Sequence, residues 1–262
     1  MKIPIYQIDA FANTVFSGNP AAVCILQTWL PPQTMQRIAQ ENNLAETAFI
    51  VQKDSIFELR WFTPETEVDL CGHATLASAY VLFEYKGFKK NTIQFYSPRS
   101  GHLSVTKGSN DLMTMDFPED ELIAYEENTE LNEAIGLTPK NTFKGKTDYL
   151  LIYDSQQKIE AISPNFHLLD AIDCRGVIVT APGKDVDFVS RFFAPLCGIP
   201  EDPVTGSAHT SMTPYWSKVL GKTKLSAKQL SKRGGELQCE YLKGRVKISG
   251  KAVPYLMGEI TI

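Results

Sequence analysis

Three side chains in this sequence have the chemistry and the surroundings to move a proton. Glu46 stands at the entrance of the apolar run Ala48–Val51, and His73 follows a glycine. Asp202 precedes a segment rich in turn-forming residues. A carboxylate and an imidazole in such surroundings can act as general acid and base. The same residues also fit plainer roles: a solvated glutamate, a histidine that caps its own helix and an aspartate in an Asx-turn.

Two glycine-containing segments each mark the start of a predicted helix. They read Gly72-His73-Ala74-Thr75 and Gly206-Ser207-Ala208-His209-Thr210. A glycine at a helix start lets a ligand approach the backbone, and the free N–H groups with the positive end of the helix dipole attract a carboxylate. We therefore expect these backbones to bind a small anionic substrate, and the residues expected to do so are Gly72, Ala74, Gly206 and Ser207.

The two glycine segments belong to a longer internal repeat. An Arg-x-Phe-x-Pro pattern precedes each of them, and its aromatic-rich alternation predicts β-strands at Phe57–Phe62 and Phe188–Phe193. Pro214 should kink or shorten the second helix. Two repeats predict two similar lobes with a substrate site in the cleft between them. Apolar residues at helical spacing follow each glycine: Leu76, Ala79, Tyr80 and Phe83 in the first copy, and Met212, Tyr215, Trp216 and Val219 in the second.

Glu46 has no counterpart in the second copy of the repeat. Aligning the copies sets residues 43–51 against residues 173–181, and Gly176 then stands at the position of Glu46. A buried carboxylate is costly unless it is paired. Its presence in one copy alone favours a functional role for Glu46 over a solvated one.

Composition and charge argue against several classes of function. The 262 residues carry a net charge of −4, which gives no sign of a nucleic-acid partner. The sequence shows neither a signal peptide nor an apolar stretch long enough to cross a bilayer, so we expect a cytoplasmic protein without a membrane partner. The five cysteines and four histidines show no disulfide framework and no zinc-ligand spacing. Phosphate-binding lysine and G-x-G-x-x-G motifs are also missing, so we expect neither a metal nor a nucleotide cofactor.

The lobe boundary is predicted in the polar, acidic stretch 118–130. This places the N-terminal lobe at residues 1–118 and the C-terminal lobe at residues 119–262. The C-terminal run from residue 245 onward predicts a hairpin whose last strand could pair with the N-terminal lobe.

Four motifs occur in order along nearly the whole chain. They are Asp9-Ala10-Phe11 with Gly18–Val23, Asn43–Phe49, Asp69–Thr75 and Glu201–His209. Together they resemble the phenazine-biosynthesis PhzF-like isomerase family, which shares one fold with diaminopimelate epimerase and proline racemase.

The resemblance implies an α/β (α+β) fold of two pseudo-symmetric lobes, each a barrel-like sheet around a central helix, and a homodimer. It also implies a cofactor-independent isomerase that acts on a small carboxylated metabolite. Glu46, His73 and Asp202 match the family's catalytic glutamate, histidine and aspartate, and Gly206-Ser207 matches its glycine–serine pair. In that family the glutamate moves a proton between carbons of an acidic, unsaturated substrate.

Cys71 and Thr205 leave a second reaction open. Racemases of this fold use two thiols, each immediately before a helix glycine, and here Cys71 holds the first such position while Thr205 holds the second. A hydroxyl cannot replace a thiolate as a base of matched strength, which disfavours a two-base racemase or epimerase. The alternatives are a dehydratase or epimerase based on Cys71, and a catalytically silent small-molecule binding protein.

Overall fold

The chain folds into two compact units. The computed structural model describes residues 1–126 and 128–262. The first unit comprises Met1–Asp116 with Ser249–Ile262, and the second comprises Phe117–Ile248. The C-terminal segment therefore belongs to the first unit. Glu127, in the predicted boundary stretch, lies outside the described residues.

Both units mix helices and strands. In chain order the strands are β1 (Lys2–Ala10), β2 (Asn19–Leu26), β3 (Glu46–Lys53), β4 (Ile56–Phe62), β5 (Glu67–Val68), β6 (Thr92–Ser97), β7 (Gly101–Lys107), β8 (Met113–Pro118), β9 (Ile123–Tyr125), β10 (Asn141–Lys144), β11 (Asp148–Ile152), β12 (Gly176–Pro182), β13 (Phe188–Phe193), β14 (Lys224–Gln229), β15 (Gly235–Tyr241), β16 (Arg245–Gly250) and β17 (Ala252–Thr261). The helices are α1 (Pro32–Asn42), α2 (Gly72–Tyr85), α3 (Thr129–Ile135), α4 (Gln156–Ala161), α5 (Phe166–Asp170) and α6 (Ala208–Leu220), with short 3₁₀ turns at Ser109–Asp111 and Pro195–Cys197.

In the first unit the sheet surrounds helix α2. Strand β1 pairs antiparallel with both β17 and β2, β2 runs parallel to β3, and β3 is antiparallel to β4. From β4 the sheet continues through a parallel β6 to the antiparallel β7 and β8. Helix α2 packs against β1, β2, β3, β7 and β17. This arrangement has the predicted form of a sheet around a central helix.

The burial of α2 differs from the predicted single apolar stripe. Every residue from His73 to Ala79 is buried, whereas Tyr80 and Phe83 are only half-buried. The reason is that strands lie on several sides of the helix, so its first two turns have no solvent-facing side. A helix that is apolar all round is typical of such a buried position.

The second unit carries a sheet of the same kind. Its strands run from β9 through β10, β11, β12, β13 and β14 to β15, with parallel pairs at β11–β12 and β13–β14 and antiparallel pairs elsewhere. Helix α6 packs against β11, β14 and β15. A core cluster lies between this sheet and helices α3, α4 and α5.

Helix α6 differs from its prediction in two details. It continues through Pro214 to Leu220, so the proline does not end it. Val219, which was predicted on the buried stripe, is 55% exposed near the C-terminal end, whereas Met212 and Trp216 are buried. Among the helices of the described residues, none has the length and apolar character needed to span a membrane.

Gly18 shows why one of the sequence motifs needs a glycine. Its φ of +69° lies in the left-handed region, and a Cβ there would lie 2.2 Å from the carbonyl oxygen of Ala10. Only glycine fits so close to the end of β1.

Candidate functional site

Glu46, Cys71 and His73 lie together in the first unit. The Nε2 atom of His73 lies 2.9 Å from Oε2 of Glu46, and its Nδ1 atom lies 3.5 Å from Sγ of Cys71. All three residues are buried, with Glu46 9% exposed. The structure therefore brings the predicted acid–base pair into contact and adds the thiol as a neighbour.

The connection between α1 and β3 positions Glu46. Helix α1 ends with Asn43 in the left-handed conformation (φ 48°, ψ 39°), which asparagine tolerates better than most residues. Asn42 donates from Nδ2 to Oγ1 of Thr47 at 3.0 Å. In the sheet, Glu46 pairs with Ala21 as the first residue of β3. These contacts fix the strand start and aim the carboxylate at the start of α2.

The start of α2 positions Cys71 and His73. Cys71 has extended backbone and precedes the helix, and its side chain makes no capping hydrogen bond. Thr75 closes the first turn instead, because its backbone N–H and its hydroxyl both donate to the carbonyl of Cys71, at 3.1 Å and 2.6 Å. The thiol is thus left beside the imidazole.

Burial and neighbouring charge set the protonation states of this cluster. Burial is the main cause that raises the pKa of Cys71, to about 11, so the thiol is neutral near pH 7. For His73, burial opposes the charged form, but the acidic neighbours Cys71 and Glu46 outweigh it and raise its pKa well above the usual value. Because the thiol is uncharged near neutrality, we assign the effect there to Glu46. The raised pKa of His73 therefore favours its charged form beside Glu46.

The contact between Glu46 and His73 has an unusual geometry. Although Nε2 lies 2.9 Å from Oε2, this oxygen is buried and has no hydrogen-bond partner among the described residues. The two atoms therefore lie within ion-pairing distance but without hydrogen-bond geometry. The carboxylate of Glu46 can act as a general base.

The same three side chains offer metal ligands. One ligand atom from each of Glu46, Cys71 and His73 lies within 4.8 Å of the others. Oxygen, sulfur and imidazole nitrogen are ligand types that Zn²⁺ accepts. Spacing along the sequence does not reveal this set, because Glu46 comes from a separate strand. The absence of a metal stays a prediction.

Asp202 and Thr205 form a buried network in the second unit. The hydroxyl of Thr205 donates to Oδ2 of Asp202. Gln229 donates from Nε2 to the carbonyl of Asp202 at 2.8 Å and to Oγ1 of Thr205 at 3.2 Å. Its Oε1 accepts from the backbone N–H of Thr205 at 2.9 Å. The loop that carries Asp202 is thus clamped by a side chain from the end of β14.

His209 supports the same loop. Its Nδ1 lies 2.8 Å from the carbonyl oxygen of Thr205, and since a carbonyl only accepts, Nδ1 carries the proton. Burial lowers the pKa of His209 to about 4. This histidine is therefore neutral and structural, unlike His73.

The predicted substrate-binding residues occupy the two helix starts. Gly72 begins α2 and Ala74 is buried within it, while Gly206 and Ser207 form the turn before α6. Arg175 donates from Nη2 to Oγ of Ser207 at 3.1 Å. The sequence pattern did not single out Arg175 or Gln229. The repeat alignment offered a signal for Arg175, because it sets this residue directly before the counterpart of Glu46.

Comparisons with known proteins match nearly the whole length of this chain. A family model described as phenazine biosynthesis-like protein (PhzC-PhzF) matches residues 8–258. An uncharacterized isomerase of Pseudomonas aeruginosa is 49% identical over 260 residues, which cover 99% of both chains. The crystal structure of a phenazine biosynthesis protein of the PhzF family from Enterococcus faecalis has 48% identity, full coverage of both chains and a TM-score of 0.97. A hydroxyproline epimerase from Agrobacterium vitis, with 10% identity, shares the fold at a TM-score of 0.61, with 99% of this chain and 92% of that chain covered.

Proposed function

The chain belongs to the phenazine-biosynthesis PhzF-like family and is an isomerase, and on this basis we propose that it moves a proton within a small carboxylated metabolite, with Glu46 as the acid–base group. The observation that carries the proposal is the buried contact between Oε2 of Glu46 and Nε2 of His73. Glu46 has no counterpart in the second copy of the repeat, so we assign the proton transfer to this single carboxylate.

The proposed reaction is an allylic proton shift. The carboxylate of Glu46 accepts a proton from one carbon of the substrate, and the electrons of the broken C–H bond move into the adjacent π system. The same carboxyl group then returns the proton to another carbon on the same face. One base on one face gives a 1,3 or longer shift, whereas inversion at a carbon needs two bases.

His73 has two tasks in this scheme. As an imidazolium beside Glu46, it offers positive charge to an anionic substrate in a buried environment where such charge interacts strongly. Its second nitrogen gives a route for relaying the proton. The first task needs the charged form, which the raised pKa of His73 favours.

The state of Cys71 favours Glu46 over a thiol base. A thiol whose pKa is raised to about 11 is almost entirely protonated near pH 7, whereas the thiolate is the reactive form. At the matching position of the second repeat, Thr205 uses its hydroxyl to hold Asp202. These two observations weigh against a dehydratase or epimerase based on Cys71.

We assign Asp202 and the two glycine turns to the same reaction. Asp202 is a buried carboxylate, 9% exposed, held by Thr205 and Gln229. Its role in this proposal is to shape the proton path, and the glycine-turn backbones, Gly72 with Ala74 in the first unit and Gly206 with Ser207 in the second, bind anionic groups.

Deuterium exchange tests the proposal while the substrate is still unidentified. A metabolite mixture is incubated in deuterated water with the wild-type protein, with Glu46→Gln, with Cys71→Ser or with no protein, and mass spectrometry identifies the compounds that gain deuterium. We expect a carboxylated compound to exchange with wild type and with Cys71→Ser, and not with Glu46→Gln or without protein. Exchange that Glu46→Gln retains and Cys71→Ser loses would replace the proposal with a thiol-based reaction.

We further propose a cytoplasmic homodimer that needs no cofactor. All five cysteines are free thiols, as is usual in a reducing compartment. Tyr255, Leu256 and Met257 follow one another on β17 and are all exposed, at 51%, 44% and 58%. Consecutive residues of a strand point to opposite faces, so both faces of this stretch are uncovered within the chain. A second copy of the chain is the occupant that the family resemblance suggests.

A further inference from the structure

Arg175 in the second unit stands next to the position that Glu46 has in the first. Strand β3 begins at Glu46, which pairs with Ala21 of the parallel strand β2. Strand β12 begins at Gly176, which pairs with Asp148 of the parallel strand β11. Gly176 is therefore the counterpart of Glu46 in strand register as well as in the sequence alignment. Since Gly176 has no side chain, the preceding residue supplies the polar group.

In each unit a charged side chain at a strand start contacts the residue after the turn glycine, and the two side chains carry opposite charges. In the first unit, the carboxylate of Glu46 contacts His73 directly after Gly72. In the second unit, the guanidinium of Arg175 contacts Ser207 directly after Gly206. A carboxylate beside an imidazole suits proton transfer, whereas a guanidinium beside a hydroxyl suits the binding of an anion.

Gly176 makes room for the ring that lies beside this guanidinium. A Cβ at Gly176 would lie 2.3 Å from Cζ of Phe192, so a larger residue would displace the ring. Phe192 is buried, and its ring centroid lies 5.5 Å from the guanidinium carbon of Arg175. The missing side chain and the position of Arg175 are thus linked through Phe192.

Arg175 keeps donors free although it is firmly held. Its Nε and Nη2 groups donate to the two carboxylate oxygens of the buried Asp148. Its Nη1 group donates to none of the residues that the structure describes, and the side chain is 39% exposed. Oγ of Ser207 accepts from Nη2, which leaves the hydroxyl proton for another acceptor. The free donors are therefore Nη1 and this hydroxyl.

We propose that Arg175 and Ser207 form a binding site for a carboxylate group. Nη1 of the guanidinium and the serine hydroxyl offer one donor to each of the two oxygens of a carboxylate. Asp148 already neutralises one positive charge, so a carboxylate group suits the site better than a phosphate, which concentrates two negative charges on one group. That this carboxylate belongs to the substrate rests on the proposed function, and the binding site itself does not.

Titration of the full-length protein with malonate tests the site, with the uncharged malonamide as matched control. Calorimetry should show binding of malonate and none of malonamide. Arg175→Gln should weaken malonate binding about 10- to 100-fold, because a hydrogen bond to a charged group is lost. Ser207→Ala, a change at an exposed residue, should weaken it by a smaller factor. Asp148→Asn should strengthen it, because the guanidinium then loses its competing partner.

These variants separate a binding arginine from a purely structural one. If Arg175 serves only as the partner of Asp148, Arg175→Gln and Ser207→Ala will bind malonate as wild type does, and Asp148→Asn will not bind it more tightly. Circular dichroism and the melting temperature establish that each variant is folded. Should Arg175→Gln fail to fold, Ser207→Ala alone decides, and unchanged affinity in that variant overturns the site.

The variant Glu46→Gln distinguishes a failure of the carboxylate-binding site from a failure of the proposed isomerisation. That variant should bind malonate like wild type and lose deuterium exchange. Malonate binding that depends on Arg175, without deuterium exchange by wild type, would leave the site standing and reject the isomerisation. If deuterium exchange depends on Glu46 but malonate binding does not depend on Arg175, the isomerisation stands and the carboxylate site is rejected.

Discussion

Gln229 and Thr205 are joined by two hydrogen bonds, one to the backbone N–H and one to the hydroxyl of Thr205, at 2.9 Å and 3.2 Å. A third bond, from Nε2 of Gln229 to the carbonyl of Asp202, closes the network. Gln229 is 1% exposed, so water cannot replace these partners if the side chain is lost. The end of β14 therefore holds the loop that presents Asp202.

Gln229→Ala should destabilise the fold by about 2–4 kcal/mol, because it leaves several buried polar groups without partners. Urea unfolding measures this loss. Gln238→Ala is the matched control, since Gln238 is an exposed glutamine on the neighbouring strand β15, and it should change stability by less than about 0.5 kcal/mol. Equal stability of the two variants would mean that the loop does not depend on Gln229.

Glu46→Gln should lower the rate of deuterium exchange by about 10²–10⁴-fold while leaving ligand binding nearly intact. Glutamine keeps the size and polarity of the side chain but cannot accept a proton. Cys71→Ser should keep substantial activity, because its thiol is protonated near neutral pH. Single-turnover exchange rates for the two variants test this pair of expectations, and an inactive Cys71→Ser beside an active Glu46→Gln would contradict both.

The sequence predicted local elements and the family better than contacts between distant residues. The repeat placed β4 and β13 almost to the residue, because alternation and a terminal proline are local signals. The family resemblance is confirmed by the match over residues 8–258. The partners of Gln229 and Arg175 were not foreseen, since these contacts exist only after separate strands pack together. The same is true of the protonated state of Cys71, which depends on its burial.

His73 should make the stability of the fold depend on pH. A histidine whose pKa is raised by folding contributes stability that is fully present below its unfolded pKa and is lost as the pH rises through the folded value. The stability advantage of wild type over His73→Gln should therefore shrink as the pH rises from about 6 through the raised folded pKa of His73. Urea unfolding of both proteins over this range measures the difference. A difference in stability that does not change with pH would show that His73 is uncharged beside Glu46.

His209 should act in the opposite direction. Folding lowers its pKa to about 4, so the stability it contributes is present above the unfolded value and is lost as the pH falls through the folded one. The loss should approach about 3 kcal/mol between roughly pH 6.5 and pH 4. His209→Asn keeps a donor near the position of Nδ1 but cannot titrate, so its stability should fall less over that range. His167→Asn, at an exposed histidine, should follow wild type. If His209→Asn also follows wild type, other groups cause the acid sensitivity.

Met257→Glu should convert the proposed dimer into a monomer. Met257 is 58% exposed on β17 between Leu256 and Gly258, and a buried, unpaired carboxylate in an interface is costly. Within one chain the substitution faces solvent, so the monomer should stay folded. Sedimentation velocity measures the change in mass, and circular dichroism establishes the fold. Ile123→Glu is the matched control, because Ile123 is an apolar strand residue that is 73% exposed in the second unit, and this variant should stay dimeric. A wild-type protein that sediments as a monomer, or a Met257→Glu variant that remains a dimer, would refute β17 as the interface.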